Sequence, residues 1–384
     1  MSHREKVFAV FDISSSSVGG AHVLQKYDRT CPATIMLATA RKESVVHDDI
    51  DVARFVSEST HRLQEVVETI KSVDPHHPSD IQVVLASPWY SSQTRTITYT
   101  KPQPFVCTKK LIESLITAEV SHALKDAQGL FGPDAILIEQ HIAGIKLNGY
   151  HTQVPYGKKV TSLECSLIMT TASKSVLVGF RDTLHRAYGD RPVRFTTSAI
   201  ATFVVMRDRT KHLDDAVVID IGEEITDVAF VRQGVILSQH SFPVGTYALY
   251  RAVTKHATEF IHEAGAILES YRLGKLTSVV RRKVDRAIAQ YSEEWQKGFQ
   301  GVVEQGSYGL CLPAHILVTV DTRFELLVSS MIENDPFVTY RCGTDTLSLV
   351  HINESVLASS VGTVDYTLID SPLATAALYA ERLL

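Results

Sequence analysis

Val10-Phe11-Asp12-Ile13-Ser14-Ser15-Ser16-Ser17-Val18-Gly19, near the start of the chain, has a counterpart past the middle in Val218-Ile219-Asp220-Ile221-Gly222-Glu223-Glu224-Ile225-Thr226-Asp227-Val228. In each, an apolar run reads as a buried strand that carries an aspartate to its carboxyl end. A tight turn of small or hydroxylated residues follows, and the chain doubles back. Successive backbone N–H groups in such a turn converge on one space and can hold phosphate oxygens. An aspartate beside them suits a magnesium ion that keeps its waters. Either stretch alone is an ordinary strand end and turn. Two of them, with aspartates 208 positions apart (12 to 220), would face one another and grip a triphosphate from both sides.

Working outward from the first copy, strands are expected over Val7–Phe11, Ala21–Gln25 and Ile35–Ala40. Leu63, Val66, Val67 and Ile70 follow the i, i+3, i+4, i+7 rule and place a helix over about 51–72. Ile81–Ala86 is a further strand. At Ser87-Pro88 the layout changes. Thr94–Thr100 alternates, Thr108 caps a helix carrying Leu111, Ile112, Leu115 and Ile116, and Asn148-Gly149 turns a hairpin between Ile136–Leu147 and Tyr150–Val154. With a strand over Ser162–Thr171 and a helix over Ser175–Tyr188, residues 87–190 read as an inserted α+β unit. Residues 1–86 and 191–213 form the first lobe around it, and 214–384 the second. That second lobe holds strands at Ala216–Ile221, Ile225–Arg232, Val235–Phe242 and Ile316–Thr319, and a helical subdomain over about 246–312. The last helix, 372–384, returns to pack on the first lobe.

The 384 residues leave room for two or three domains with cores of their own. Thirty-eight basic against forty-three acidic residues give a net charge of −5, which argues against a nucleic-acid binder. Cys31, Cys107, Cys165, Cys311 and Cys342 are odd in number and never form a CxxC, so they read as free buried thiols in a reducing compartment. No segment reads as a signal peptide or a membrane span. His76-His77 reads as a solvated loop, Trp89 and Tyr90 as packing residues, and the cations from Arg272 to Arg286 as the solvated face of a helix, with docking of a partner's acidic peptide as the alternative.

The doubled phrase resembles the phosphate loops of the actin-like ATPase superfamily, and most closely those of its FtsA and PilM group. There the first loop runs Asp-Ile-Gly-Thr/Ser and the second Asp-Ile-Gly-x-x-Thr-Thr-Asp. Val154-Pro155-Tyr156-Gly157 with Leu163-Glu164 is similar to a turn and strand of the FtsA insertion, and Ser241-Phe242-Pro243-Val244-Gly245 to the lead into its second-lobe helices. The resemblance covers nearly the whole chain. It implies an α/β, two-lobed actin-like fold with an inserted α+β subdomain, binding ATP and Mg in the cleft. By the same resemblance Asp12, Ser14, Ser15, Ser16, Ser17, Asp220, Gly222, Glu223, Glu224, Thr226, Asp227 and Gly245 line the phosphates. Asp12 and Asp220 would reach the metal through water, and Glu269 and Arg272 would face the adenine.

Three departures bear on function. Ser14 stands where glycine is usual, and Glu223 and Glu224 stand where an active ATPase of this superfamily has glycine, a deviation that PilM-type loops tolerate. Val320-Asp321-Thr322-Arg323 replaces the Gly-Gly turn against which adenosine rests, so side chains should crowd a nucleotide. The resemblance therefore implies a scaffold recruiting partners to a divisome or type IV pilus assembly, with nucleotide as a conformational clamp and at most weak ATPase activity. A nucleotide-free interaction module and an active phosphotransferase are the alternatives. The partners implied are an FtsZ-type C-terminal tail or a PilN-type N-terminal peptide, with self-association into filaments open. The place implied is cytoplasmic, at the inner membrane face through partners.

Overall fold

The computed structural model describes residues 4–27, 33–44, 52–210, 213–307, 311–334, 340, 347–364 and 370–383. The first lobe begins as an antiparallel meander of β1 (Arg4–Ile13), β2 (Ser17–Tyr27) and β3 (Ala33–Glu43). Phe8–Val10, Phe11 and Ile13 are fully buried because both faces of β1 are covered. Helix α1 (Val52–Val73) turns Leu63, Val66 and Ile70 onto one face of this sheet, and β4 (Ile81–Leu85) adds parallel to β1.

The chain then leaves for a separate four-stranded antiparallel sheet. It comprises β5 (Tyr90–Val106), β6 (Ala135–Leu147), β7 (Tyr150–His151) and β8 (Lys159–Ser173), ordered β5-β8-β6-β7 and covered by α2 (Lys109–Phe131). Thr108 caps α2 by accepting from the Leu111 N–H at 3.2 Å. Asn148 and Gly149, at φ of 50° and 83°, make the hairpin turn between β6 and β7. Helix α3 (Lys174–Tyr188) does not stay with this unit. Its Leu177, Phe180 and Leu184 enter the first-lobe core beside α1, so the separate sheet ends with β8.

β9 (Val193–Thr197) pairs parallel to β4 and completes the order β15-β3-β2-β1-β4-β9. After α4 (Ser198–Arg209) the plan repeats in β10 (Ala216–Ile221), β11 (Thr226–Arg232) and β12 (Val235–Phe242). Three helices follow, α5 (Thr246–Ala257), α6 (Ile261–Arg272) and α7 (Ser278–Gly306), and then β13 (His315–Thr319), α8 (Glu325–Asn334), β14 (Ser348–His351) and α9 (Glu354–Leu357). The second sheet runs β12-β11-β10-β13-β14, the same pattern of two antiparallel and two parallel neighbours around a central strand. β15 (Val361–Thr363) then crosses back to pair with β3, and α10 (Ser371–Leu383) ends the described chain.

Apolar residues of α4 and α10 lie in one core with Phe8 and Val10 of β1 and Val218 and Ala229 of the second sheet, so these two helices are packed between the sheets. Their burial on both sides explains why Leu373–Ala377 is a nearly continuous apolar run. Cys107 and Cys165 are buried free thiols. Cys311 corrects the expectation of five free thiols, because it is disulfide-bonded. Cys31 and Cys342 lie outside the described residues.

Candidate functional site

The two strand-end aspartates meet between the lobes, with Asp220 close enough to act on the charge of Asp12. Sheet register decides what each one touches. Asp12 pairs with Gly19, and Gly19 with Arg41, so the three lie in one row across β1, β2 and β3. A Cβ on Gly19 would come within 2.6 Å of the Arg41 guanidinium. The missing side chain is the lane by which Arg41 crosses the middle strand. Arg41 Nη2 donates to Asp12 Oδ2 at 2.9 Å, Nη1 to Ser17 Oγ at 2.9 Å, and Nε to Asp370 Oδ2 at 2.6 Å. Asp370 also accepts from the Leu373 N–H at the start of α10, which ties that helix to the first loop. Burial pushes the Asp12 carboxyl up to about 6 against the lowering pull of Arg41.

The serine loop satisfies itself. Ser14 N–H donates to Ser17 O at 3.0 Å, while the Ser16 and Ser17 N–H groups donate to Ser14 Oγ at 3.4 and 3.0 Å. Trp89 Nε1 donates to Ser14 O at 2.8 Å. The hydroxyl of Ser14 then reaches across the cleft to Glu223 Oε2 at 3.0 Å, and burial raises the Glu223 carboxyl above its ordinary range. A glutamate oxygen thus bridges the two loops.

The second loop is engaged in a different way. Its Gly222 and Glu223 carbonyls accept from the Thr246 and Tyr247 N–H groups at 2.9 and 2.7 Å, capping α5. A helix N-terminus is a ready anion site, and here loop carbonyls already occupy it. Gly245 permits this contact, since a Cβ there would lie 2.4 Å from Glu223 O. Glu224 turns away from the cleft to Arg251, with Arg251 Nη2 to Oε2 at 2.6 Å. Thr226 donates to Val244 O and accepts from Trp295 Nε1. Asp220 accepts from Thr319 Oγ1 at 2.6 Å. Asp227 accepts from Ser87 Oγ at 2.6 Å and from Ser87 N–H and Tyr90 OH, each at 3.2 Å, and burial lifts its carboxyl to about 7.

Of the residues expected to line phosphates, Asp12, Ser14, Asp220 and Glu223 come together, and Ser17 joins them through Arg41. The side chains of Glu224 and Thr226 are engaged elsewhere, with Arg251 of α5 and with Val244 O and Trp295 of α7. Asp227 faces the start of β5. Glu269 and Arg272 are exposed and hold each other at 2.6 Å, which leaves the arginine turned to its own helix. In the position of the missing Gly-Gly turn, Asp321, Arg323 and Phe324 line a cavity of about 80 Å³ with Glu43, Glu223 and Tyr247. That is room for a handful of waters. Among the described residues, no three His, Cys, Asp or Glu side chains are grouped to hold a metal ion. As arranged, these residues do not fit ATP and Mg: Arg41 sits on Asp12, where the cation would go, and the N–H groups of Ser14, Ser16, Ser17 and Gly222 are bonded within their own loops.

Sequence reading missed Arg41 and Asp370 altogether. It took Trp89 and Tyr90 as packing residues, and they do pack, yet each also bonds to one of the two loops. The Asp12–Gly19 pairing followed from the hairpin itself, but Arg41 depends on the register of the next strand.

No family model matches the chain, and no curated protein matches it. Among solved structures, it superposes on a chain of a PilM–PilN type IV pilus biogenesis complex with a TM-score of 0.64, at 15% identity over 98% of each chain. A MamK double helical filament gives a TM-score of 0.48 at 11% identity over 99% of each chain. The ethanolamine utilization protein EutJ from Carboxydothermus hydrogenoformans gives 0.45 at 14%, over 99% of this chain and 91% of that one. At such identities the likeness is one of fold. The chain has the actin-like ATPase fold in its PilM-like form.

Proposed function

We propose that this chain is a PilM-like scaffold that recruits protein partners to an inner-membrane assembly, with a cleft latched by its own side chains instead of clamped by nucleotide. The observation that carries the reading is the direct Ser14–Glu223 bond across the cleft, 3.0 Å long, in the space between the loops. Arg41 supports it by sitting on Asp12 where a hydrated cation would go. A phosphotransferase would need a free base in the cleft, and Asp12, Asp220 and Asp227 are all bonded to internal donors.

Between the two partner classes, the PilM-like fold favours a PilN-type N-terminal peptide over an FtsZ-type tail. Among the described residues no helix is long and apolar enough to cross a membrane, so attachment in this reading runs through the partner. Peptide capture tests the assignment. The pilus-type peptide should bind and the division-type tail should not, with equal capture with and without ATP and Mg. Capture of neither removes the partner assignment, and capture that requires nucleotide removes the latch.

A further inference from the structure

The turn between α6 and α7 carries a surface whose charge differs from that of the chain as a whole. Residues 269–286 hold six cations against two carboxylates, in a protein whose net charge is −5. Both carboxylates are engaged: Glu269 holds Arg272, and Asp285 accepts from Tyr271 OH at 2.7 Å. Arg281 lies over the Tyr271 ring. Lys275, Arg282, Lys283 and Arg286 are exposed and form no ion pair with the described residues. Val279, Arg282, Lys283 and Arg286 follow the i, i+3, i+4, i+7 spacing, so they share one face of α7. Its opposite face is buried through Val284, Ala287 and Tyr291. Two apolar side chains project among these cations, Leu273 at 48% exposure and Val279 at 56%.

Apolar tips ringed by unpaired cations suit a flat anionic surface, where the side chains enter the headgroup layer and the cations meet phosphates. From this we infer that the α6–α7 turn is a membrane-contact site that reads anionic phospholipid. The inference stands on the turn's own surface and is independent of what fills the cleft or which peptide binds. Each Lys or Arg near such a surface contributes about fivefold in partition. Contact through this turn would orient the second lobe toward the bilayer, in addition to any tether supplied by a partner.

Co-sedimentation of the full chain with phosphatidylcholine vesicles, and with vesicles that also contain phosphatidylserine, is the test. Binding is expected only to the anionic vesicles and should fall with salt. The triple change Arg282→Glu, Lys283→Glu and Arg286→Glu should weaken it by at least roughly a hundredfold. Lys275→Arg with Lys283→Arg should preserve it. Leu273→Ser with Val279→Ser should weaken it without altering the salt dependence. These positions are exposed, and circular dichroism checks that each variant is folded. No binding to anionic vesicles, or unchanged binding by the triple variant, overturns the inference. So does a poly-glutamate peptide that binds this turn while the vesicles do not, which would make it a protein-docking surface.

Discussion

In the first lobe the strand-end aspartate faces a guanidinium, and in the second its counterpart faces a hydroxyl. The backbone plan is the same: β1 and β10 each lie between one antiparallel and one parallel neighbour. At the register position beside Asp12 a glycine opens the way for Arg41, whereas beside Asp220 stands Asp227 on one side and Thr319 on the other. The first copy therefore carries its own counter-charge, tied through Asp370 to the helix between the lobes. The second carries two neighbouring carboxylates without a cation and relies on Ser87, Tyr90 and Thr319 as donors. A duplicated fold has kept its geometry while its two halves neutralise buried charge by different means.

The sharpest way to break this comparison is to remove the counter-charge. Arg41→Ala leaves Asp12 and Asp370 facing each other in a buried site and should cost about 3–5 kcal/mol, read by denaturant unfolding. A cost below about 1 kcal/mol would mean that Arg41 is merely adjacent and not a latch.

The pH dependence comes next and belongs mostly to the second copy. Burial raises Asp227 from 3.8 to about 7, so between those values the folded chain keeps a proton that the unfolded chain has lost. Stability from this group is whole below the unfolded value and declines as pH rises through 7. Asp227→Asn preserves the geometry if its amide oxygen takes the Ser87 N–H and Tyr90 OH and its NH2 donates to Ser87 Oγ. It should therefore raise the melting temperature at pH 8, by up to about 4 kcal/mol of stability, and change little near pH 4. Equal effects at both pH values would contradict the raised carboxyl.

Smaller effects sharpen the picture. Ser14→Ala removes the donor that reaches Glu223 from the tip of the first loop and should cost about 1 kcal/mol; in a double-mutant cycle with Glu223→Ala the two changes should cost less together than the sum of the single changes. Thr319→Val removes a neutral donor from Asp220 and should cost about 1 kcal/mol, less than Arg41→Ala. If the Thr319 change proves the more damaging, the assignment of counter-charges to the two copies is reversed.

Much of this was legible in the sequence because it depended on neighbours in the chain. Buried strands ending in Asp12 and Asp220, the hairpins that follow, the Thr108 cap and the Asn148-Gly149 turn are local, and so is the apolar face of α1. The long helical region was recognised, though it resolves into α5, α6 and α7. β9, β14 and β15 are three to five residues long and gain their stability from parallel neighbours far away in the chain, so they carried little local pattern. Within the site, the acidic character of the second loop is plain in the sequence, where Glu223 and Glu224 stand side by side. Its two glutamates nevertheless point in opposite directions, because Arg251 lies one helix away from Glu224 and Ser14 one lobe away from Glu223. Long-range partners of this kind are set by tertiary packing, which residue spacing does not express.

The central claim is that the cleft is closed by its own side chains, and calorimetric titration of the intact chain with ATP tests it most directly, with and without magnesium. The account predicts no binding heat at millimolar nucleotide under either condition. Magnesium-dependent binding that disappears in Asp12→Ala and Asp220→Ala would contradict it. In that case Arg41 and Glu223 would be groups that a nucleotide displaces, and the cleft would be a working clamp.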